Sequence, residues 1–273
     1  MADVSELLAA YDAQIRDRVP DPLPNGVTVE RDGPLLRFLG LFGREGGGFV
    51  CYRDLEGLTD AGVDELIARQ VRVFAERGER FEWKLHGHDR PPDLAQRLRA
   101  AGFVAEDEET VVIAPVHVVS GRPLLPEGVS LREATDRNDL DRIAALEEAV
   151  WGDDHASLAA ALEAERDADP DAIAIVVAEA GATIVCASWV RFERGTDFAT
   201  LWGGATLPAW RGRGIYRATV AYRANLAVGR GFRFVEVDAS SDSRPILERL
   251  GFVAVTTTTP YVWSPPPVPA AEP

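Results

Sequence analysis

Val4, Leu7, Leu8, Tyr11 and Ile15 recur at helical spacing, so an amphipathic helix is predicted over 3–17, ended by Pro20, Pro22 and Pro24. Strand patterns follow at 27–31, 35–39 and 48–53, broken by Gly46-Gly47-Gly48. A helix over 60–77 turns Leu66, Val71 and Phe74 to one side. The alternating run Arg80 to Leu85 reads as a strand, 92–101 as a short helix and 109–117 as another strand. Ser120 to Gly128, with Gly121, Pro123 and Pro126, has the composition of a linker. A fresh pattern starts beyond it. A strand at 129–133 leads to Asp136 or Asp139 as caps of a helix running to about 150, with Leu140, Ile143 and Leu146 on one face. Then come a helix at 156–167 and strands at 172–179 and 183–192 around the hairpin turn Glu179 to Ala182. A strand at 197–206, a helix at 213–229, a strand at 232–238, a helix at 243–250 and a strand pair between 252 and 264 follow. The tail 265–273 is expected to be disordered.

The two halves echo each other. Leu94 to Ala105 (LAQRLRAAGFVA) is similar to Ile246 to Ala254 (ILERLGFVA). A strand precedes each copy, and before that a helix ending in Arg-Gly, Arg77-Gly78 in one and Arg230-Gly231 in the other. This pattern predicts a duplication, with a first domain over 1–117, a linker at 118–128 and a second domain over 129–264.

The sharpest local feature runs from Trp202 to Tyr216 (WGGATLPAWRGRGIY). A strand ends near Thr206, a short turn alternates Arg and Gly, and an apolar helix begins at once. Backbone N–H groups at such a helix start lack intrahelical partners and converge on one point. Glycines allow close approach to an anion, the helix dipole favours negative charge, and Arg211 and Arg213 add positive charge. That is the physics of a pyrophosphate cradle; the plainer alternative is a helix start with two solvated arginines. A hydrolase loop would require Gly-Lys-Ser/Thr, and a dinucleotide loop would sit on the first strand of its unit.

This segment resembles the signature of the GCN5-related N-acetyltransferase superfamily, Gln/Arg-x-x-Gly-x-Gly/Ala between the fourth strand and third helix, with Arg211, Gly214 and Tyr216 in the fixed places. Tyr216 departs from the small residue usual at the last place. The resemblance implies an α/β (α+β) fold with a mixed central sheet flanked by helices, here duplicated, and acetyl-coenzyme A as co-substrate. It further implies that the pantetheine arm enters where the fourth and fifth strands splay, with a bulge on the fourth strand supplying an oxyanion donor. Gly203 and Gly204 suit the bulge. Ala205, Thr206 and Leu207 are the implied backbone contacts, and Arg211, Gly212, Arg213, Gly214, Ile215 and Tyr216 the implied cradle, with Ser240 and Ser243 beside it.

The proton-transfer groups follow the family less well. The tyrosine that often serves as acid is replaced by Leu247, the asparagine before that helix by Ser240, and the fourth strand carries no carboxylate near the usual base position. Glu236 and Asp238, on one face of the fifth strand by alternation, are candidate bases, as are Glu147, Glu148, Asp153 and Asp154 around the turn between the first two helices. Tyr261 is the preferred replacement acid, ahead of Ser241 and Ser243. In the first half the position of the cradle falls in Leu58 to Asp64, where Asp60 and Asp64 would repel a pyrophosphate, so no coenzyme is expected there.

Composition narrows the partners. With 46% apolar and 27% charged residues, the 273-residue chain is ordinary globular protein. No run approaches the ~20 apolar residues of a membrane span, and no secretory signal is present, so a cytoplasmic protein without a membrane partner is expected. A formal charge of −15 disfavours nucleic acid and favours a small cationic amine as acceptor. Cys51 and Cys186 stand in apolar runs as buried small hydrophobes. His86 and His88 share one side of a strand, but no third ligand accompanies them and no metal is expected. Either a monomer or a homodimer is compatible with a duplicated chain. A non-catalytic acyl-coenzyme A sensor and a protein-modifying acetyltransferase are the competing readings.

Overall fold

A computed structural model describes residues 3–24, 26–41, 47–152 and 154–266. Asp153, Gly46 and the tail from 267 onward lie outside the described residues. In chain order the first half contains α1 (Val4–Gln14), β1 (Thr28–Asp32), β2 (Leu35–Leu39), β3 (Gly47–Cys51), α2 (Asp60–Arg77), β4 (Arg80–His86), α3 (Leu94–Ala100), β5 (Val104–Ala105), β6 (Glu109–Pro115) and α4 (Val116–Val119). The second half contains β7 (Val129–Glu133), α5 (Arg137–Trp151), α6 (Leu158–Ala168), β8 (Ile173–Ala180), β9 (Thr183–Phe192), β10 (Phe198–Thr206), α7 (Ile215–Gly229), β11 (Phe234–Ala239), α8 (Arg244–Leu250) and β12 (Val253–Trp263). The fold class is the expected one, mixed sheet flanked by helices.

The chain forms two compact units. The C-terminal unit comprises Val111–Val255 with Met1–Leu7 and Pro20–Asn25; the N-terminal unit comprises Leu8–Val19, Gly26–Thr110 and Thr256–Pro273. Most of β6 therefore belongs to the C-terminal unit, and most of β12 to the N-terminal one. In the C-terminal unit the strand order is β6-β11-β10-β9-β8-β7. There β7, β8, β9 and β10 pair antiparallel in sequence, and β10 pairs β11 in parallel. In the N-terminal unit β1, β2, β3 and β4 are followed by β12, which pairs β4 antiparallel from Thr258↔His86 to Trp263↔Phe81, while β5 pairs the end of β12. The strand pair expected between 252 and 264 is one continuous strand. The run Thr256 to Thr259 is β-branched and stays extended, and Pro260 fits the ladder opposite Lys84 instead of turning the chain.

The sequence echo corresponds to a structural repeat. Both β3-α2-β4 and β10-α7-β11 join parallel neighbours through a helix. After α3 and after α8 a left-handed glycine, Gly102 or Gly251, turns the chain so that the next phenylalanine donates its N–H back into the helix. Phe103 bonds the Leu98 carbonyl and Phe252 the Leu247 carbonyl, both at 3.1 Å. Both phenylalanines are buried.

One face of the C-terminal sheet packs on α7 and α8 through Val190, Leu201, Val220, Ala224, Val235, Val237 and Leu247. The other packs on α5 and α6 through Leu140, Ile143, Leu162, Ile175, Val177 and Trp189. Asp136 caps α5 by accepting from the Asp139 N–H, and left-handed Gly152 ends it.

Candidate active site

The parallel register of β10 and β11 runs from Phe198↔Phe234 to Thr200↔Glu236 and stops there, although both strands continue. Beyond that point the two strands part. Three pairs further along β10, its register with β9 jumps from Gly203↔Ser188 to Ala205↔Ala187, leaving Gly204 as an extra residue. Gly203 and Gly204 both have positive φ, 68° and 97°, which forms the bulge expected of them. A Cβ on Gly203 would lie 2.6 Å from the Trp189 ring, and one on Gly204 would lie 2.7 Å from the Tyr216 ring, so neither position accepts a side chain. Tyr216 thus turns inward onto the bulge. Burial raises its hydroxyl pKa.

Past the bulge, Ala205 and Thr206 are buried, and Leu207 leads through the turn Pro208–Trp210 to Arg211, Gly212, Arg213 and Gly214. Gly212 and Gly214 are left-handed, and Gly214 is the N-cap of α7, so the free N–H groups of Ile215, Tyr216 and their neighbours open the helix next to the strand end. Arg211 is exposed, and its Nε donates to the Thr206 carbonyl at 3.0 Å, tying the loop to β10. Arg213 lies over the Trp210 ring at 4.7 Å. No Cβ contact arises within 4 Å of Gly212, so the loop backbone there is open to close approach. Glycines, helix start and arginines fit a bound diphosphate, and the parted strands and bulge fit an extended thiol arm.

One buried charge lies behind this site. Arg223 of α7 is fully buried, and its Nη1 donates to the carbonyls of Trp189 and Trp202, both at 3.0 Å, while Nε donates to Thr219 at 3.2 Å. Trp202 immediately precedes the bulge and pairs across with Trp189. The guanidinium therefore satisfies the carbonyls at the place where the ladder breaks. Desolvation lowers its pKa. Its signal in the sequence is an arginine seven residues after Tyr216 and three after Val220, on the face that otherwise reads apolar.

The remaining expected residues divide. Val235, Val237 and Ala239 enter the α7-side core, so Glu236 and Asp238 project to the opposite face, with Glu236 buried beside its register partner Thr200. Ser240 and Ser243 bond each other ahead of α8: the Ser240 Oγ lies 3.2 Å from the Ser243 Oγ and accepts from the Ser243 N–H at 3.3 Å. Ser241 and Glu148 are exposed, and Asp154 is occupied by the Ala156 N–H. Tyr261 belongs to the N-terminal unit. It is 2% exposed within the aromatic core of that unit, paired with Trp83 and covered by Arg99, a packed setting that does not suit the expected acid. The reason is topological: alternation places Tyr261 on a strand but does not say which sheet that strand joins.

Glu147 lies on the buried side of α5, and its Oε2 accepts from Trp151 Nε1 at 2.7 Å. Burial raises its pKa, opposed by the Trp151 hydrogen bond and nearby His155. Cys186 is wholly buried, with its thiol pushed up to about 11, and Thr206 donates its hydroxyl to it. In the N-terminal unit His86 and His88 serve the framework. His86 Nε2 meets the Tyr11 hydroxyl, and His88 bonds Thr256 and Asp12.

No family model matches the sequence, and no curated protein is similar to it. Solved structures do resemble it along most of its length. A GCN5-related N-acetyltransferase from Kribbella flavida superposes with a TM-score of 0.65 at 16% identity, covering 97% of this chain and 95% of that one. A tandem protein of the same fold from the clavulanic acid biosynthesis pathway, solved without acetyl-coenzyme A, gives 0.64 at 15% identity, with the same 97% and 95% coverage. A conserved protein of unknown function from Staphylococcus epidermidis gives 0.66 at 15% identity, covering 92% and 99%.

Proposed function

We propose that this chain, whose fold is the tandem form of the GCN5-related N-acetyltransferases, transfers an acetyl group from acetyl-coenzyme A to a small amine. The observation that carries the reading is the succession of parted strands, glycine bulge, Arg-Gly loop and free helix start within the C-terminal unit. Acetyl-coenzyme A supplies an activated thioester. The chain's part is to hold its diphosphate with the N–H groups of Gly212 to Tyr216, to seat its thiol arm along Ala205 to Leu207, and to orient the acceptor. Glu236 and Asp238 project from β11 on the face opposite α7 and are the groups proposed to draw a proton from the amine. Among the described residues no helix is long and apolar enough to cross a membrane.

The N-terminal unit is proposed to hold no coenzyme. Its parallel pair β3/β4 ends at Val50↔Trp83, and there Asp89 bridges the strand ends, accepting from the Tyr52 hydroxyl at 2.6 Å, the His86 N–H at 2.8 Å and Arg16. The start of α2 is occupied by Thr59, which accepts from the Gly62 N–H, and it carries Asp60 in its first turn.

Calorimetric titration of acetyl-coenzyme A into the protein and into the Arg211→Glu, Gly214→Glu double variant tests the reading. Binding by the protein that the variant loses is expected; no binding by the protein itself overturns it. A binding protein without turnover is the second reading, favoured by the core position of Leu247 and the engagement of Ser240 with Ser243. Acetylation across a panel of primary amines separates the two.

A further inference from the structure

Glu147 and Trp189 share a property that packing does not account for. Glu147 is 5% exposed, yet its Oε1 has no hydrogen-bond partner among the described residues. Trp189 is 8% exposed, and its indole N–H is likewise without a partner there. Buried polar atoms are rarely left so, and a carboxylate least of all. Both belong to one layer. Leu140, Ile143, Ala144 and Glu147 form the inward stripe of α5, and Trp189 packs in the cluster those apolar residues make. The Trp189 ring in turn lies where a side chain on bulge residue Gly203 would be.

One indole flanks this carboxylate. Trp151, which holds its other oxygen, is 58% exposed. Trp202, the cross-strand partner of Trp189 and therefore on the same face, is already engaged, with Arg191 over its ring at 4.5 Å and its indole N–H donated to the Thr200 hydroxyl at 2.8 Å. A carboxylate oxygen without a partner beside an exposed aromatic ring is the chemistry that takes up an organic cation.

We propose that Glu147 binds the ammonium group of the acceptor, a primary amine with an apolar body that lies on the exposed indole of Trp151. This rests on the acetyl-transfer reading for the identity of the ligand as acceptor, but amine binding is measurable without turnover. Glu147 then confers specificity by pairing with the substrate, which leaves Glu236 and Asp238 for the proton.

The test is tryptophan fluorescence titration of the full chain with 2-phenylethylamine, its neutral analogue 2-phenylethanol, and ethanolamine. The protein is expected to bind 2-phenylethylamine at least tenfold more tightly than either of the others. Glu147→Gln is expected to weaken that binding about 30-fold, the usual worth of a charge-assisted contact, and to leave 2-phenylethanol unchanged. Equal binding of amine and alcohol by the unaltered protein overturns the proposal without recourse to any variant. So does no saturable amine binding, equal binding of ethanolamine, or a Glu147→Gln effect within twofold. Acetyl-coenzyme A titrated into the same sample separates the failures. Coenzyme binding without amine binding removes only this subsite, and amine binding without coenzyme binding removes only the acetyl-transfer reading.

Discussion

Glu147 stands where the spacing of Leu140, Ile143 and Ala144 calls for an apolar side chain, and the protein carries the cost of that carboxylate. Removing a buried charge with one unpartnered oxygen relieves desolvation, so Glu147→Gln is expected to stabilise the fold by about 1–2 kcal/mol at neutral pH. The pH dependence has a definite sign. Burial raises the Glu147 pKa above its ordinary 4.5, so no penalty exists while the group is protonated in both folded and unfolded chains. The penalty grows as pH rises from the unfolded value through the folded one. Urea unfolding at pH 4 and pH 8 should show variant and parent converging in acid and diverging above it; His155 and Cys186, the titratable neighbours, are common to both proteins. A parent more stable than the variant at pH 8 would sink this account. Gly204→Ala makes a second prediction, because it forces a side chain into φ 97° and against Tyr216. A loss of about 1–3 kcal/mol is expected, of which adding Tyr216→Ala recovers only the steric part. The bulge glycines were legible in the sequence because only glycine serves there. Glu147 was one carboxylate among several, since spacing reveals that it faces inward but not that nothing pairs with it.

Whole elements depend on Arg223 in a way that periodicity conceals. A charged residue on the apolar side of α7 reads as a flaw in the pattern, because its partners are carbonyls on β9 and β10 that the bulge frees from the ladder. Arg223→Met would leave both carbonyls buried and unpaired. We expect a loss of about 2–3 kcal/mol in denaturant unfolding, together with weaker coenzyme binding as β10 loses its fixed course. Arg223→Lys, with a point charge in place of a planar fork, should fall between. A methionine variant as stable as the parent would show that solvent or relaxation replaces the arginine. Helix limits were legible because caps are local chemistry: Thr59 and Asp136 begin α2 and α5, and Gly78 and Gly152 end them. The last strand is one strand and not the expected pair because Pro260 finds its place opposite Lys84, a partner 176 residues away.

At the scale of the molecule, the compact units do not coincide with the halves of the chain. The N-terminal unit contains β12 from Thr256 onward, and the C-terminal unit contains β6 from Val111. Cutting at the linker 118–128 would deprive each fragment of a strand whose side chains fill its core, Tyr261 and Trp263 in one case and Val112 and Ala114 in the other. Fragments 1–117 and 118–273 are therefore expected to unfold without cooperativity when expressed apart, by thermal melting of each. Exchange of this kind could not be seen in the sequence, because pattern identifies strands and not their neighbours. It also decides how coenzyme occupancy must be measured, since isolated halves are not the units that fold. On the intact chain the Arg-Gly loop of the C-terminal unit offers glycines, arginines and a free helix start, whereas the corresponding place in the N-terminal unit is filled by Tyr52, Asp89, Arg16 and His86 and flanked by Asp60 and Asp64. Calorimetry should accordingly give one acetyl-coenzyme A per chain, and Gly214→Glu alone should abolish the heat entirely, since a carboxylate at the N-cap opposes the diphosphate. A stoichiometry of two, or a residual site in that variant, would mean that the N-terminal unit opens its polar plug to admit a coenzyme.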